Sequence, residues 1–311
     1  MKENSFKPFI DEYVQSLKVR NLGKRTINGI CWKLDKFVEW LIKTGITRID
    51  GINKETLRSY QIELYQTINA RGRQNCASYQ NGMLSAVKQF MSFLHERDYI
   101  VSDPAKDIQY ARQPKTLPRS VLTTSEARRI IHTPDVKTVI GYRDRAILEV
   151  LYSSGIRKEE VNNLTLNDVD YHDGFLRIDN GKGGKDRIVP IGRIACRYLE
   201  NYIKSVRPEL IKDPYNNHLF LSLRGGRLSK NMVWELVKKY AKKARIRKNV
   251  HPHTFRHTCA TAMLKNNADL NAIRKILGHE SLNTTQIYTH LNITDLKEVH
   301  KRCHPRERDK E

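Results

Sequence analysis

Four short segments in the second half of this 311-residue chain hold side chains that could act on a phosphate group. In Ser154-Gly155-Ile156-Arg157-Lys158-Glu159-Glu160, the glycine can end one helix and allow a sharp turn. Arg157 and Glu160 then stand three apart on one face of the next helix, the spacing of a cation and the carboxylate that orients it. Taken alone, such a pair is also an ordinary surface ion pair of little energetic weight. In Gly181-Lys182-Gly183-Gly184-Lys185-Asp186-Arg187, glycines let the backbone and a lysine approach a ligand closely. The spacing is not that of the Gly-x-x-x-x-Gly-Lys-Ser/Thr phosphate loop, so nucleoside triphosphate binding is not supported, and the segment reads equally as a solvated hairpin tip.

The third segment, His251-Pro252-His253-Thr254-Phe255-Arg256-His257, places a proline at a helix start. His253 and Arg256 then share a face at the positive end of the helix dipole, a natural cradle for phosphate. His253 and His257 have an i, i+4 zinc-ligand spacing, but no glutamate lies between them and Arg256 would repel a cation there. In the fourth, Gly278 closes a helix after Leu277, His279 follows it, and Tyr288 comes nine residues later on a short helical segment. Taken separately, His279 reads as an ordinary C-terminal cap and Tyr288 as an ordinary half-buried packing residue.

Helices must position most of these groups. In the first hundred residues Phe6, Phe9, Ile10, Tyr13, Val14 and Leu17 mark one apolar stripe, and Ile27, Ile30, Cys31, Leu34, Phe37, Val38 and Leu41 a second that stops at Gly45. Asn53 can cap a third helix carrying Leu57, Tyr60 and Leu64, and Tyr79, Met83, Leu84, Val87, Phe90, Met91 and Leu94 give a fourth an inner face. The stripe disappears between Tyr110 and Leu122, where two prolines favour extended backbone. The expected division is a helical domain over 1–112, a linker over 113–121 and a second domain over 122–311.

The second domain opens on a hydroxyl-capped helix with Ile130 and Ile131, followed by a helix from about Tyr142 through Leu151. Phe175, Leu176 and Ile178, then Ile188 and Val189, flank the glycine-lysine turn and predict a β-hairpin. Asp168, Asp170 and Asp173 read as turn residues. Helix returns from Met232, with Trp234, Leu236, Val237 and Tyr240 in one segment and Leu270, Ile273, Ile276 and Leu277 in another. The expected fold class is mainly α with a small antiparallel β-sheet.

Fifty-six lysines and arginines oppose 34 acidic residues, a net charge of +22, and both domains share the excess. A protein so charged is drawn to polyanions through counterion release, which makes nucleic acid the leading partner. With hydrophobic residues at 39% and charged residues at 29%, the composition is globular and excludes disordered or collagenous classes. Five scattered cysteines without a Cys-x-x-Cys pair read as reduced thiols. No apolar run is long enough for a transmembrane helix and the first residues lack a signal-peptide core, so a cytoplasmic location is expected.

In the order Arg157, Lys182, His253-Thr-Phe-Arg256, Leu-Gly-His279 and Tyr288, the second domain resembles the tyrosine recombinase family, the lambda-type integrase and Xer-like enzymes. The helical domain ahead of it resembles that family's SAM-like core-binding bundle, a DNA clamp. The resemblance implies a site-specific recombinase that cuts and rejoins DNA for integration, excision or resolution. Tyr288 would attack a scissile phosphate, leaving a 3′-phosphotyrosyl bond and a free 5′-hydroxyl, with strand exchange passing through a Holliday junction. Arg157 and Arg256 would stabilise the transition-state phosphate, Lys182 would protonate the departing oxygen, His253 would act as acid or base, His279 would hydrogen-bond the phosphate, and Glu160 would orient Arg157 or His253. No metal or other cofactor is implied, because the arginines neutralise the phosphate. The partners implied are double-stranded DNA with paired inverted-repeat sites and three further subunits in a tetramer, with an amphipathic helix over 294–300 docking on a neighbour or, alternatively, on its own domain, and a second recombinase or accessory protein is compatible with this. Two alternatives of other classes are a type IB topoisomerase-like strand relaxer, which shares the phosphotyrosine step, and a non-catalytic DNA-binding regulator, which retention of all six reactive side chains argues against.

Overall fold

The computed structural model describes residues 5–69, 72–113, 121–179, 186–278 and 293–307. The chain divides into two compact units, Met1–Thr116 and Leu117–Glu311, each with its own hydrophobic core. The predicted glycine-lysine turn over 180–185 and most of the predicted linker lie outside the described residues.

The first unit is a bundle of α1 (Lys7–Val19), α2 (Lys24–Lys43), α3 (Lys54–Gln66) and α4 (Ala77–Glu96). Apolar residues at helical spacing meet at its centre: Tyr13 lies between Phe90 and Phe93 at ring separations of 5.5 and 5.1 Å, and Phe37 packs on Tyr60 at 4.7 Å. Asn53 caps α3 through its side-chain oxygen, which accepts the Thr56 N–H at 2.9 Å. Gly45 follows α2 in the left-handed region, φ 83°. Tyr79 departs from the expected inner face of α4 and is 38% exposed. Gln80 takes the inward position beside it, its amide satisfied by the Asn75 carbonyl at 2.7 Å, so the polar group is buried without being orphaned.

The second unit is built around α6 (Val139–Ser154), which follows α5 (Thr124–His132) and precedes α7 (Lys158–Asn163). A capping box starts α5: Thr123 accepts the Glu126 N–H at 3.1 Å, and Glu126 accepts the Thr123 N–H at 2.7 Å. From Arg143 to Ser154 every residue of α6 is buried. Its charged residues survive inside because they are paired: Arg143 with Asp144 at 2.6 Å, Arg145 with Glu149 at 2.9 Å, and Asp144 also accepting from the Tyr240 hydroxyl at 2.8 Å.

The sheet has three antiparallel strands in the order β1 (Val169–Asp170), β2 (Phe175–Ile178) and β3 (Arg187–Pro190), with Leu176 opposite both Val169 and Val189. The hairpin is as the alternation predicts, and β1 is an addition to it. The aspartates beside β1 do hold turns, Asp168 accepting from Thr165 and Asp170 from Asp173, both at 2.7 Å. Their flanking pair Val169–Asp170 nevertheless completes the sheet.

After β3 come α8 (Arg193–Asn201), α9 (Arg207–Leu210), α10 (Met232–Lys243), α11 (Pro252–Lys265), α12 (Leu270–Leu277) and α13 (Ile293–Cys303). Trp234 of α10 is part exposed, with the Lys238 ammonium over its ring at 4.3 Å, and Leu270 at the start of α12 is exposed. The end of α13 is packed on its own unit: His300, Cys303 and His304 are buried, and the two imidazoles stack at 4.6 Å. They reach the carbonyls of Ser153 and Tyr152 at the end of α6, at 2.7 and 3.0 Å. Among the described residues no helix is long and apolar enough to cross a membrane.

Candidate active site

The end of α6, the start of α7, the first turns of α11 and the end of α12 meet, and three arginines converge there. Gly155 ends α6 in the left-handed conformation, φ 62°. A methyl group at Gly155 would lie 2.8 Å from Leu277 Cδ2 and 3.3 Å from Cys259 Sγ, so both its backbone and its missing side chain are needed for the close approach of α11 and α12. Two residues later Arg157 sits at the N-terminal cap of α7. Its backbone N–H donates to Glu160 Oε2 at 2.8 Å, its Nη1 to Glu160 Oε1 at 2.9 Å, and its Nη2 to the Gly278 carbonyl at 2.8 Å.

Arg256 reaches the same place from α11. Phe255, Cys259 and Met263 form the fully buried stripe of α11, and this rotation sends the Arg256 side chain toward the ends of α6 and α12. Arg256 donates through Nη1 to the Gly155 carbonyl at 2.9 Å and through Nη2 to the Leu277 carbonyl at 2.6 Å. Desolvation, and then the neighbouring Arg157 charge, pull its pKa down to about 10, which leaves it cationic at neutral pH. The two guanidiniums are thus anchored on consecutive carbonyls, Leu277 and Gly278, at the negative end of the α12 dipole.

Glu160 is buried at the centre of these cations. Burial raises its pKa, but the hydrogen bond from Arg187, the Arg157 backbone N–H, the Arg187 charge and the hydrogen bond from the Arg157 side chain outweigh that and hold the carboxyl below its usual range. Arg187, the first residue of β3, pairs both carboxylate oxygens, at 3.0 and 2.7 Å. No role for Arg187 was legible in the sequence, where it is one more cation at the end of a glycine-lysine segment. The signal lies in its place at the base of the hairpin, in register with Ile178.

His253 is exposed on the first turn of α11, with the His251 ring edge-on to it at 6.2 Å. Desolvation depresses its pKa, opposed by Glu159 and reinforced by Arg256 and His257, so the imidazole is neutral at pH 7 and able to accept a proton. Glu159 is thus the carboxylate that acts on His253 electrostatically, while Glu160 bonds Arg157 and Arg187. The structure therefore brings Arg157, Glu160 and Arg256 together, with His253 on the same helix as Arg256. Lys182, His279 and Tyr288 lie outside the described residues.

Three guanidiniums around one carboxylate leave an excess of positive charge beside helix-terminal carbonyls, an arrangement able to attract and hold a phosphate. Residues 120–294 match the phage integrase family, and the chain belongs to it. It is a site-specific DNA recombinase of the tyrosine class. Among its relatives, the tyrosine recombinase XerD of Staphylococcus epidermidis is 35% identical over 301 residues, covering 96% of this chain and 98% of the relative. In fold it is similar to XerH recombinase in a post-cleavage complex with palindromic difH, TM-score 0.69 at 22% identity over 94% of this chain and 83% of the other. It is likewise similar to a lambda integrase tetramer bound to a Holliday junction, TM-score 0.64 at 16% identity over 92% of this chain and 82% of the other.

Proposed function

We propose that Tyr288 is the nucleophile of strand exchange and that the converging guanidiniums of Arg157 and Arg256 hold the phosphate it attacks. The phenolic oxygen bonds to phosphorus as the bond to the 5′-oxygen breaks. The phenolic proton passes to neutral His253, and Lys182 protonates the departing 5′-oxygen. His279, next in sequence to the Gly278 carbonyl that anchors Arg157, donates a hydrogen bond to a non-bridging oxygen. An ordinary phenol has a pKa near 10, so the uncompensated arginine charge also lowers the cost of forming phenolate at the site. Rejoining reverses these steps with the 5′-hydroxyl of another strand, so no external energy source is needed.

In this reading residues 122–311 are the catalytic domain and 1–112 the DNA clamp, and four copies work in the cytoplasm on paired inverted-repeat sites through a Holliday junction. The anchoring of Arg157 and Arg256 on adjacent carbonyls is the observation that carries it. It is tested with a nicked suicide duplex bearing the site that the wild-type chain selects from a randomised duplex library. The wild type should form a covalent protein–DNA adduct, and Tyr288→Phe should bind the duplex and form none. An adduct from Tyr288→Phe would remove the nucleophile assigned here.

A further inference from the structure

We propose that Arg187 is a positioning residue for strand cleavage: it holds Glu160 and the end of α12 so that Arg157 keeps both its direction and its charge for the phosphate. This rests on the strand-transfer reading of the site. The paired bonds from Arg187 Nη1 and Nη2 to Glu160 Oε1 and Oε2 form a planar fork, the geometry that lysine cannot reproduce. Both partners are well buried, with side-chain exposures of 11% and 8%.

The charge balance explains why a second cation is useful. With Arg157 as its only partner, Glu160 would neutralise the guanidinium meant for the phosphate. With Arg187 occupying both oxygens, the carboxylate still orients Arg157 through one bond from Nη1 and one from the backbone N–H, and the group keeps a net positive charge.

Arg187 also shapes the carbonyl that takes the other branch of Arg157. A methyl group on Gly278 would meet Arg187 Nε, Cδ and Cζ at 2.9, 3.0 and 3.1 Å, so the arginine packs flat against the turn that ends α12. Gly278 is left-handed there, φ 65°, and presents its oxygen to Arg157 Nη2. One side chain thus ties the base of the β2–β3 hairpin, within which Lys182 lies in sequence, to α7 and to the turn preceding His279.

The test uses the full-length chain and the selected suicide duplex, with the single-turnover adduct rate, duplex affinity and thermal midpoint measured together. Arg187→Gln should slow adduct formation about 100-fold, the scale of losing one organised electrostatic contact, with duplex affinity within about threefold of wild type. Arg187→Lys, which restores charge without the fork, should recover about tenfold. Because both residues act on Arg157, adding Glu160→Gln to Arg187→Gln should cost less than about threefold more. An Arg187→Gln or Arg187→Lys protein that cleaves at the wild-type rate overturns the proposal, as do losses that multiply in the double variant. Should Arg187→Gln not fold, the Lys variant alone decides, through a slowed adduct rate at unchanged affinity. No adduct from the wild type would instead sink the strand-transfer reading, and this inference with it.

Discussion

Arg256→Lys separates the guanidinium's shape from its charge. Arg256 divides its two terminal nitrogens between the Gly155 and Leu277 carbonyls, at 2.9 and 2.6 Å, in a position only 7% exposed. One ammonium on a flexible stem can serve one of these carbonyls, and the other loses a charge-assisted hydrogen bond worth about 2 kcal/mol. For a unit of this size that corresponds to a fall of about 4 to 8 °C in thermal midpoint. The chemical cost is separate. On the proposed reading the guanidinium's remaining N–H donors face the non-bridging oxygens, and their loss should slow adduct formation on the suicide duplex by about 100- to 1,000-fold. Duplex affinity, spread over many lysines and arginines, should change little. The measurements are differential scanning calorimetry, equilibrium binding and the single-turnover adduct rate. A lysine variant with wild-type melting and an adduct rate near wild type would refute the claim that the fork is what the site requires.

Gly155→Ala should destabilise the second unit by about 1 to 3 kcal/mol, because the added methyl would need a positive φ and would stand 2.8 Å from Leu277 Cδ2. The adduct rate should fall as well, since the Gly155 carbonyl anchors Arg256, and a variant of wild-type stability in urea titration would contradict the packing described. Stability should also fall below pH about 6.5, the ordinary histidine value. Burial pushes the His300 pKa down to about 4, so the fold favours its neutral form and the unfolded chain binds the extra proton. The stabilisation is therefore complete above pH about 6.5 and is lost as pH falls toward 4, amounting to about 3 kcal/mol before offsets. Glu307, whose pKa burial raises, opposes this trend from 3.7 Å away. Urea unfolding between pH 7.5 and 4.5 measures the sum, and His300→Gln, which can still donate to the Ser153 carbonyl, should flatten the profile.

Much of the architecture was legible because burial imposes helical and strand periods directly. Leu34, Phe37, Val38 and Leu41, and the hairpin strands holding Leu176 and Val189, could be placed from spacing alone, the register of the strands excepted. What escaped is what periodicity scores in the wrong sense. Arg143, Asp144, Arg145 and Glu149 look like an outer helix face, yet they lie inside α6 because each is neutralised by a partner. Gln80 displaced Tyr79 from the inner face of α4 for the same reason, a polar group being admissible inside once bonded. At the site, the types and spacing of Arg157, Glu160 and Arg256 were readable, but their meeting depends on contacts spanning about a hundred residues. The bond from Arg157 to Gly278 joins positions 121 apart, and no local pattern encodes it. Arg187 was invisible for that reason: its partner Glu160 lies 27 positions earlier on another element.

The second unit contains several buried arginines, and they are compensated in different ways. Arg143 and Arg145 are matched to carboxylates and carry no net field. Arg207 is committed through Nε and Nη2 to the carbonyls of Asn216, His218 and Leu219, fixing the segment that follows α9. Arg256 is likewise held by carbonyls alone, and Arg157 by one carbonyl and a share of Glu160, but these two converge with Arg187 around one carboxylate at the ends of α6 and α12. Carbonyl oxygens fix their orientation without cancelling their charge, and the single carboxylate among them is shared with Arg187. Holding a cation by dipoles preserves the attraction that a phosphate undergoing substitution will feel, and prepays the reorganisation that water would otherwise require. Gly155 and Gly278 make this possible, because each ends a helix in the left-handed conformation and turns a terminal carbonyl toward a guanidinium. On the proposed reading the helix ends are therefore part of the site, and a side chain would crowd Leu277 and Cys259 at Gly155 or Arg187 at Gly278 as well as disturb an anchor.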